Sequence, residues 1–296
     1  MITPTRRAVL LGGVAALAAG CTRPTVSPAP APVPPPDPGT LLADLERRSG
    51  RRIGLVALDT ATGRAVRHRA GERVLMCSTA KVLVVGAVLR RRLDDPGLLD
   101  RRIRYTPADL LEYAPTTSRS VATGMTVAAL CEAAIVVSDN TAANLLTGVL
   151  GGPTASTAFV RSLGDTVTRL DRVEPDLNET APGDERDTST PDAVAADVRA
   201  LVLGDGLDPA GRDLLTAWMV ATTTGTQQIR AGLPPGWRAG DKTGSGAQGE
   251  SHDVAVAWPP DRAPLVIAVY TTPADPASTN GKATIAEATR IALGER

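Results

Sequence analysis

The sequence is poor in the residues on which many binding chemistries depend. Among 296 residues there are one phenylalanine, three tryptophans and three tyrosines, too few for platforms on which bases stack. Thirty-two basic residues are balanced by 32 acidic ones, so no net field attracts a polyanion. Together these exclude nucleic acid as a partner. The two histidines, His68 and His252, and the three cysteines form no CxxC pair and no set with zinc-ligand spacing. No metal and no cofactor is therefore expected. The GxSxG turn of an α/β-hydrolase is missing, and no apolar run reaches the ~20 residues that span a bilayer.

What is present begins with a targeting segment. Paired Arg6 and Arg7 precede an apolar stretch that ends in small residues before Cys21, the layout of an export signal over residues 1–20. Thr5-Arg6-Arg7-Ala8-Val9-Leu10 resembles a twin-arginine signal. Ala18-Ala19-Gly20-Cys21 resembles a lipobox, where cleavage exposes a cysteine for lipidation; an ordinary cleaved signal is the other reading. Residues 21–38 form a Pro-rich tether, whose eight prolines favour an extended chain of ~3.1 Å per residue, a stalk of roughly 50 Å. The protein is expected to be exported, either as a lipoprotein on the outer face of the cell membrane or secreted or periplasmic. Contact with the membrane would come only through that lipid or signal, and the folded part is expected to be a monomer.

Residues 39–296 read as a single domain, and an apolar content of 43% can bury a substantial core. Thr40–Gly50 has Leu41, Leu42 and Leu45 on one side and a glycine stop, the pattern of a helix. Residues 52–72 read as a hairpin turning at Thr60–Gly63. From Ser78 to about Ala221 the signals are helical, interrupted by a long polar stretch at 171–190. "DVAVAW" and "PLVIAVY" read as a second hairpin of central strands, and residues 280–295 as an amphipathic closing helix. Strands at both ends with helices between them predict an α+β fold. One antiparallel sheet would come from residues 39–69 and 222–296, beside an all-helical part at 70–221.

Three short stretches carry chemistry. In "MCSTAKVLVVGAVL", residues 76–89, Ser78 and Lys81 lie three apart and share a helix face. A serine hydroxyl is a weak nucleophile until a base takes its proton, and a lysine can be that base when burial or a nearby cation lowers its pKa. The N–H groups at such a helix start can also hold a developing oxyanion. Alone, the pair also reads as a helix cap and a surface lysine. Ser138-Asp139-Asn140 alone reads as an N-cap, and Lys242-Thr243-Gly244 alone as a turn. All three in this order are hard to explain by caps and turns.

With these motifs the chain resembles the class A serine β-lactamases, from about Thr40 to the C-terminus. The stretch "RLDRVEPDLNETAPGDERDTST" is similar to that family's Ω-loop. The resemblance implies a five-stranded antiparallel sheet flanked by helices with a helical subdomain, and hydrolysis of penicillins and cephalosporins through an acyl-enzyme. Ser78 would attack the lactam carbonyl, its proton passing to Lys81 directly or to Glu174 through water. Backbone N–H groups of Ser78 and Ser245 would form the oxyanion hole. Ser138 would pass a proton to the leaving nitrogen, helped by Lys242. Asn140 would hold the substrate's acylamino group and fix Lys81; Thr243, Ser245 and Lys242 would hold its carboxylate. Tyr113 would wall the mouth. Glu174, with Asn178, would hold the deacylating water, Glu174–Pro175 would be cis, and Arg172 with Asp187 would close the loop's neck.

The chain departs from the family in places. Cys131 matches half of a disulfide whose other position is Val85, so both Cys77 and Cys131 are expected to be free and buried. Carbapenem-hydrolysing members link the Cys77 position to one occupied here by Gly246. Ser251 stands where many members have a carboxylate-binding arginine; Lys282 is a candidate replacement, or a solvated lysine in the first turn of the last helix. A penicillin-binding carboxypeptidase or transpeptidase shares the three motifs but lacks the water-holding glutamate, and an inactive lipoprotein that binds wall fragments is a further alternative.

Overall fold

The computed structural model describes residues 37–179, 181 and 183–295, together with residues 1–3, 8, 10 and 13. The arginine pair, Cys21 and the tether up to residue 36 lie outside the described residues. Among those described, no helix is long and apolar enough to cross a membrane.

Helix α1 (Pro38–Ser49) begins where Asp37 accepts a hydrogen bond from Thr40 N at 3.2 Å and stops at Gly50, which takes the left-handed φ of 66° that a glycine adopts without a Cβ clash. Strands β1 (Arg51–Asp59) and β2 (Ala65–His68) follow as the first hairpin. Next come β3 (Val74–Leu75), a 3₁₀ turn at Cys77–Ala80, and α2 (Lys81–Arg91). Short strands β4 (Arg102–Ile103) and β5 (Met125–Thr126) lead into α3 (Val127–Val136), α4 (Asn140–Leu150) and α5 (Pro153–Ser162). Beyond the polar loop lie β6 (Thr188–Ser189), α6 (Pro191–Val202), α7 (Pro209–Val220) and α8 (Ile229–Gly232). Strands β7 (Arg238–Ser245), β8 (Ser251–Trp258), β9 (Leu265–Pro273) and helix α9 (Gly281–Leu293) complete the chain.

The five long strands form one antiparallel sheet in the order β2-β1-β9-β8-β7. It is built from both ends of the folded chain, with Arg51 opposite Pro273 and Asp59 opposite Leu265. Alternation along β9 serves two cores. Val266, Ala268 and Tyr270 face the helical body, while Leu265, Ile267 and Val269 pack with Leu42, Leu45 and Ile285 of α1 and α9. This explains why "PLVIAVY" is apolar throughout: both faces of a central strand are covered, and each buried Val, Leu or Ile contributes about 1.5–3 kcal/mol.

Two features differ from the sequence reading. The helical part contains two ribbons, β3 with β6 and β4 with β5, too short for a period-2 signal to emerge. The "DKTGS" stretch, turn-like in composition, lies in strand β7. Pairing along its whole length with β8 overrides the low β-propensity of Gly, Asp and Lys.

Candidate active site

Three elements converge at the mouth between the sheet and the helical body. The 3₁₀ turn presents Ser78, the start of α4 presents Ser138 and Asn140, and the edge strand β7 presents Lys242, Thr243 and Ser245. The loop before α6 adds Glu174 and Asn178. Their cleft has a volume of about 590 Å³, lined by Ser78, Tyr113, Ser138, Asn140, Glu174, Asn178, Thr243 and Ser245. Lys81 and Lys242 lie beneath it, 2% and 0% exposed. All ten residues singled out in the sequence therefore meet at one place.

At the centre, Lys81 Nζ donates to Ser78 Oγ at 2.6 Å, to Glu174 Oε1 at 2.6 Å and to Asn140 Oδ1 at 2.7 Å. Ser78 Oγ in turn donates to Glu174 Oε1 at 3.2 Å. An ammonium has three N–H groups, and these acceptors satisfy all of them. Burial pulls the Lys81 pKa down, against the opposing charge of Glu174. Lys242 donates to Ser138 Oγ at 2.9 Å and to Thr243 O at 2.7 Å. Its burial, then the charge of Lys81, brings its pKa down to about 7. Asn178 Nδ2 donates to Glu174 Oε2 at 2.5 Å, so the two oxygens of Glu174 face different partners.

Local backbone choices aim these groups. Cys77 and Ser138 take left-handed φ values of 47° and 59°, conformations that cost a non-glycine residue about 1–3 kcal/mol and are tolerated where the surroundings impose them. Asp139 is fully buried and caps α4 through Ala142 N at 2.9 Å. It also accepts from Thr116 N and Thr117 N at 2.9 Å each, which docks the Tyr113–Thr117 segment beside the cleft. The peptide bond between Glu174 and Pro175 is cis.

Glycines let β7 approach the nucleophile's turn. A Cβ on Gly244 would lie 3.1 Å from Met76 O and 3.3 Å from Cys77 Cβ, and one on Gly246 would lie 3.1 Å from Cys77 Sγ. Gly246 N donates to Glu250 O, so pairs 246/250 and 244/252 are the hydrogen-bonded positions of the ladder. Ser245, one residue out of step and on the edge strand, turns its N–H away from the sheet and into the cleft. Ser78 N, at the start of the 3₁₀ turn, has no partner within that turn.

Glu174 sits on a loop whose neck is tied by Arg172 Nε, which donates to Asp187 Oδ2 at 2.6 Å, with the Asp187 side chain fully buried. The sequence reading missed Asn144. Its Nδ2 donates to Glu174 O at 2.8 Å, and its Oδ1 accepts from Glu174 N at 2.9 Å. The available signal was its place four residues after Asn140 on one helix face. Thr224, whose hydroxyl meets that of Thr243 at 2.7 Å, and Gln228 were also missed. Lys282, the second residue of α9, lines the cleft and is exposed. Cys77 and Cys131 are free and buried, and burial raises both thiol pKa values.

Residues 40–295 match the family described as the Beta-lactamase enzyme family. The β-lactamase AST-1 of Nocardia asteroides is 57% identical over 251 residues, 85% of this chain and 81% of that protein. A β-lactamase of Streptomyces fradiae is 48% identical over 294 residues, 97% of this chain and 95% of its own. Among solved structures, a class A β-lactamase from Mycobacterium abscessus superposes with a TM-score of 0.85 at 58% identity, covering 87% of this chain and 98% of that one.

Proposed function

The chain belongs to the class A β-lactamase family and hydrolyses the amide bond of β-lactam antibiotics, and on that premise we propose how its residues divide the work. Ser78 Oγ attacks the lactam carbonyl. Its proton leaves through the Lys81–Glu174 pair, since Nζ and Oε1 both lie within hydrogen-bond reach of the hydroxyl. A lysine whose pKa is lowered by burial passes a proton on more readily than a solvated one. The N–H groups of Ser78 and Ser245 receive the oxyanion. Ser138 delivers a proton to the departing nitrogen, replenished from Lys242. Thr243, Ser245 and the Lys242 charge hold the substrate carboxylate, Asn140 the acylamino group, and Tyr113 forms the wall of the mouth.

Glu174 and Asn178 then hold the water that frees Ser78. The observation that carries this reading is the placing of Lys81 Nζ at 2.6 Å from both the hydroxyl and the carboxylate. Glu174 also separates this reading from the penicillin-binding alternative, which would acylate and stall. Ser78→Ala is expected to lower nitrocefin turnover by roughly 10⁵–10⁶-fold and leave no adduct after penicillin exposure. Glu174→Ala is expected to keep acylating while deacylation falls about 10²–10⁴-fold, so that intact-mass spectra show the acyl-enzyme. Normal turnover by either variant refutes the role given to that residue. Penicillins and early cephalosporins are the proposed substrates, Ser245 being the feature that favours the latter.

The N-terminal segment supports export by a twin-arginine signal and lipidation at Cys21, which would hold the enzyme outside the membrane on its proline tether. Radiolabelled palmitate should enter the wild type and be lost from Cys21→Ala. Equal labelling of both discards the anchor.

A further inference from the structure

Glu250 is a buried acidic side chain that the reaction leaves without a task. It sits at the foot of the hairpin between β7 and β8 and is 4% exposed. Its Oε2 accepts from Gln248 N at 2.9 Å, while its backbone oxygen accepts from Gly246 N at 3.3 Å. The turn is pinned again from outside, where Arg51, 1% exposed, donates to Gly249 O at 2.6 Å and to Thr271 Oγ1 at 2.9 Å. A Cβ on Gly246 would lie 2.3 Å from Glu250 Oε2 and 3.1 Å from Cys77 Sγ. The carboxyl therefore fills the space over Gly246 that any side chain there would need, against the residue that precedes the nucleophile.

We propose that Glu250 is a positioning residue: its buried carboxyl braces the turn after β7 and thereby fixes the Ser245 N–H relative to Ser78. The proposal rests on the reading of that N–H as an oxyanion donor. Ser245 lies one residue before Gly246, so a turn that relaxes carries the donor with it. Losing such a donor outright costs 10²–10³-fold in turnover, and a displaced one costs part of that. Because the donor acts on charge that develops in the transition state, its displacement lowers kcat and kcat/KM together.

The test is a double-mutant cycle in the purified enzyme with nitrocefin, rates being normalised to the fraction of folded enzyme. Glu250→Gln keeps an acceptor for Gln248 N and is expected to hold kcat within about threefold. Glu250→Ala is expected to lower kcat and kcat/KM together by roughly 10–100-fold, with KM within threefold. Gly246→Ala should do similar damage in the wild type, by displacing the carboxyl, and cost less than about threefold more in the Glu250→Ala background. The proposal is overturned if Glu250→Ala retains kcat within threefold while its melting temperature falls, since the group then only packs. Equal effects of Gly246→Ala in the two backgrounds overturn it as well. Failure of Glu174→Ala to accumulate a Ser78 acyl adduct would instead sink the reading of Ser78 as the nucleophile, on which the oxyanion donor rests, and this separates the two outcomes.

Discussion

Lys242 shows how one buried charge ties substrate binding to pH. It has no exposed surface, and burial followed by the charge of Lys81 brings its pKa down to about 7. An ammonium so depressed is charged below that pH and neutral above it. If it is the counter-charge for the substrate carboxylate, binding weakens as the pH rises through 7. KM for a penicillin is expected to climb above about pH 7, by up to about tenfold per pH unit, and kcat to fall with it because Lys242 also resupplies Ser138, in steady-state kinetics from pH 6 to 9. A flat KM across that range removes Lys242 from the carboxylate site. At this scale the sequence was informative because the chemistry is carried by residue types at short spacings: Ser78 and Lys81 lie three positions apart, and the structure keeps Nζ and Oγ 2.6 Å apart. Asn144 was illegible for the opposite reason. It grips the Glu174 backbone across 30 residues of chain; its place one turn after Asn140 puts it on the site's face of the helix, but does not mark it as the holder of a distant loop.

Among the elements, the loop that carries Glu174 depends on its neck. Asp187 accepts from Asp171 N at 2.8 Å, from Arg172 N at 3.0 Å and from Arg172 Nε at 2.6 Å. Its own carbonyl accepts from Met76 N at 3.0 Å, one residue before the turn that bears the nucleophile. Cutting Asp187 back to alanine leaves two backbone donors and a guanidinium without their acceptor, a loss of about 3–5 kcal/mol when one member of a buried pair is removed. Asp187→Ala is expected to lower stability by about that much in urea unfolding and to slow deacylation more than acylation, because Glu174 is the group released. Unchanged stability would show the neck to be dispensable. Sequence patterning found α1, β1, β8, β9 and α9, where apolar residues recur over whole elements, and β2 through the turn at Thr60–Gly63 that pairs it with β1. It did not find β7 from its own residues, because a strand whose alternate positions are glycine and lysine is specified by its partner β8 and by the turn it must approach.

For the molecule as a whole, the α+β arrangement was legible from strands at the two ends of the folded chain and helices between them. The order β2-β1-β9-β8-β7 was not, since that order is a matter of long-range pairing. The resemblance supplied the count of five strands, and the packing supplies its reason: β9 is covered on both faces by separate cores. The sheet's composition from distant parts of the chain has a further effect. Ser78, Lys81 and Glu174 are all synthesised before residue 175, yet Lys242 and the Ser245 N–H arrive only with β7, which in turn needs β8 and β9 to hold its place. A polypeptide that ends before β9 is complete at Pro273 thus carries a nucleophile with no edge strand held in place to receive the oxyanion. Fragments that stop short of β9 are expected to supply no partial protection.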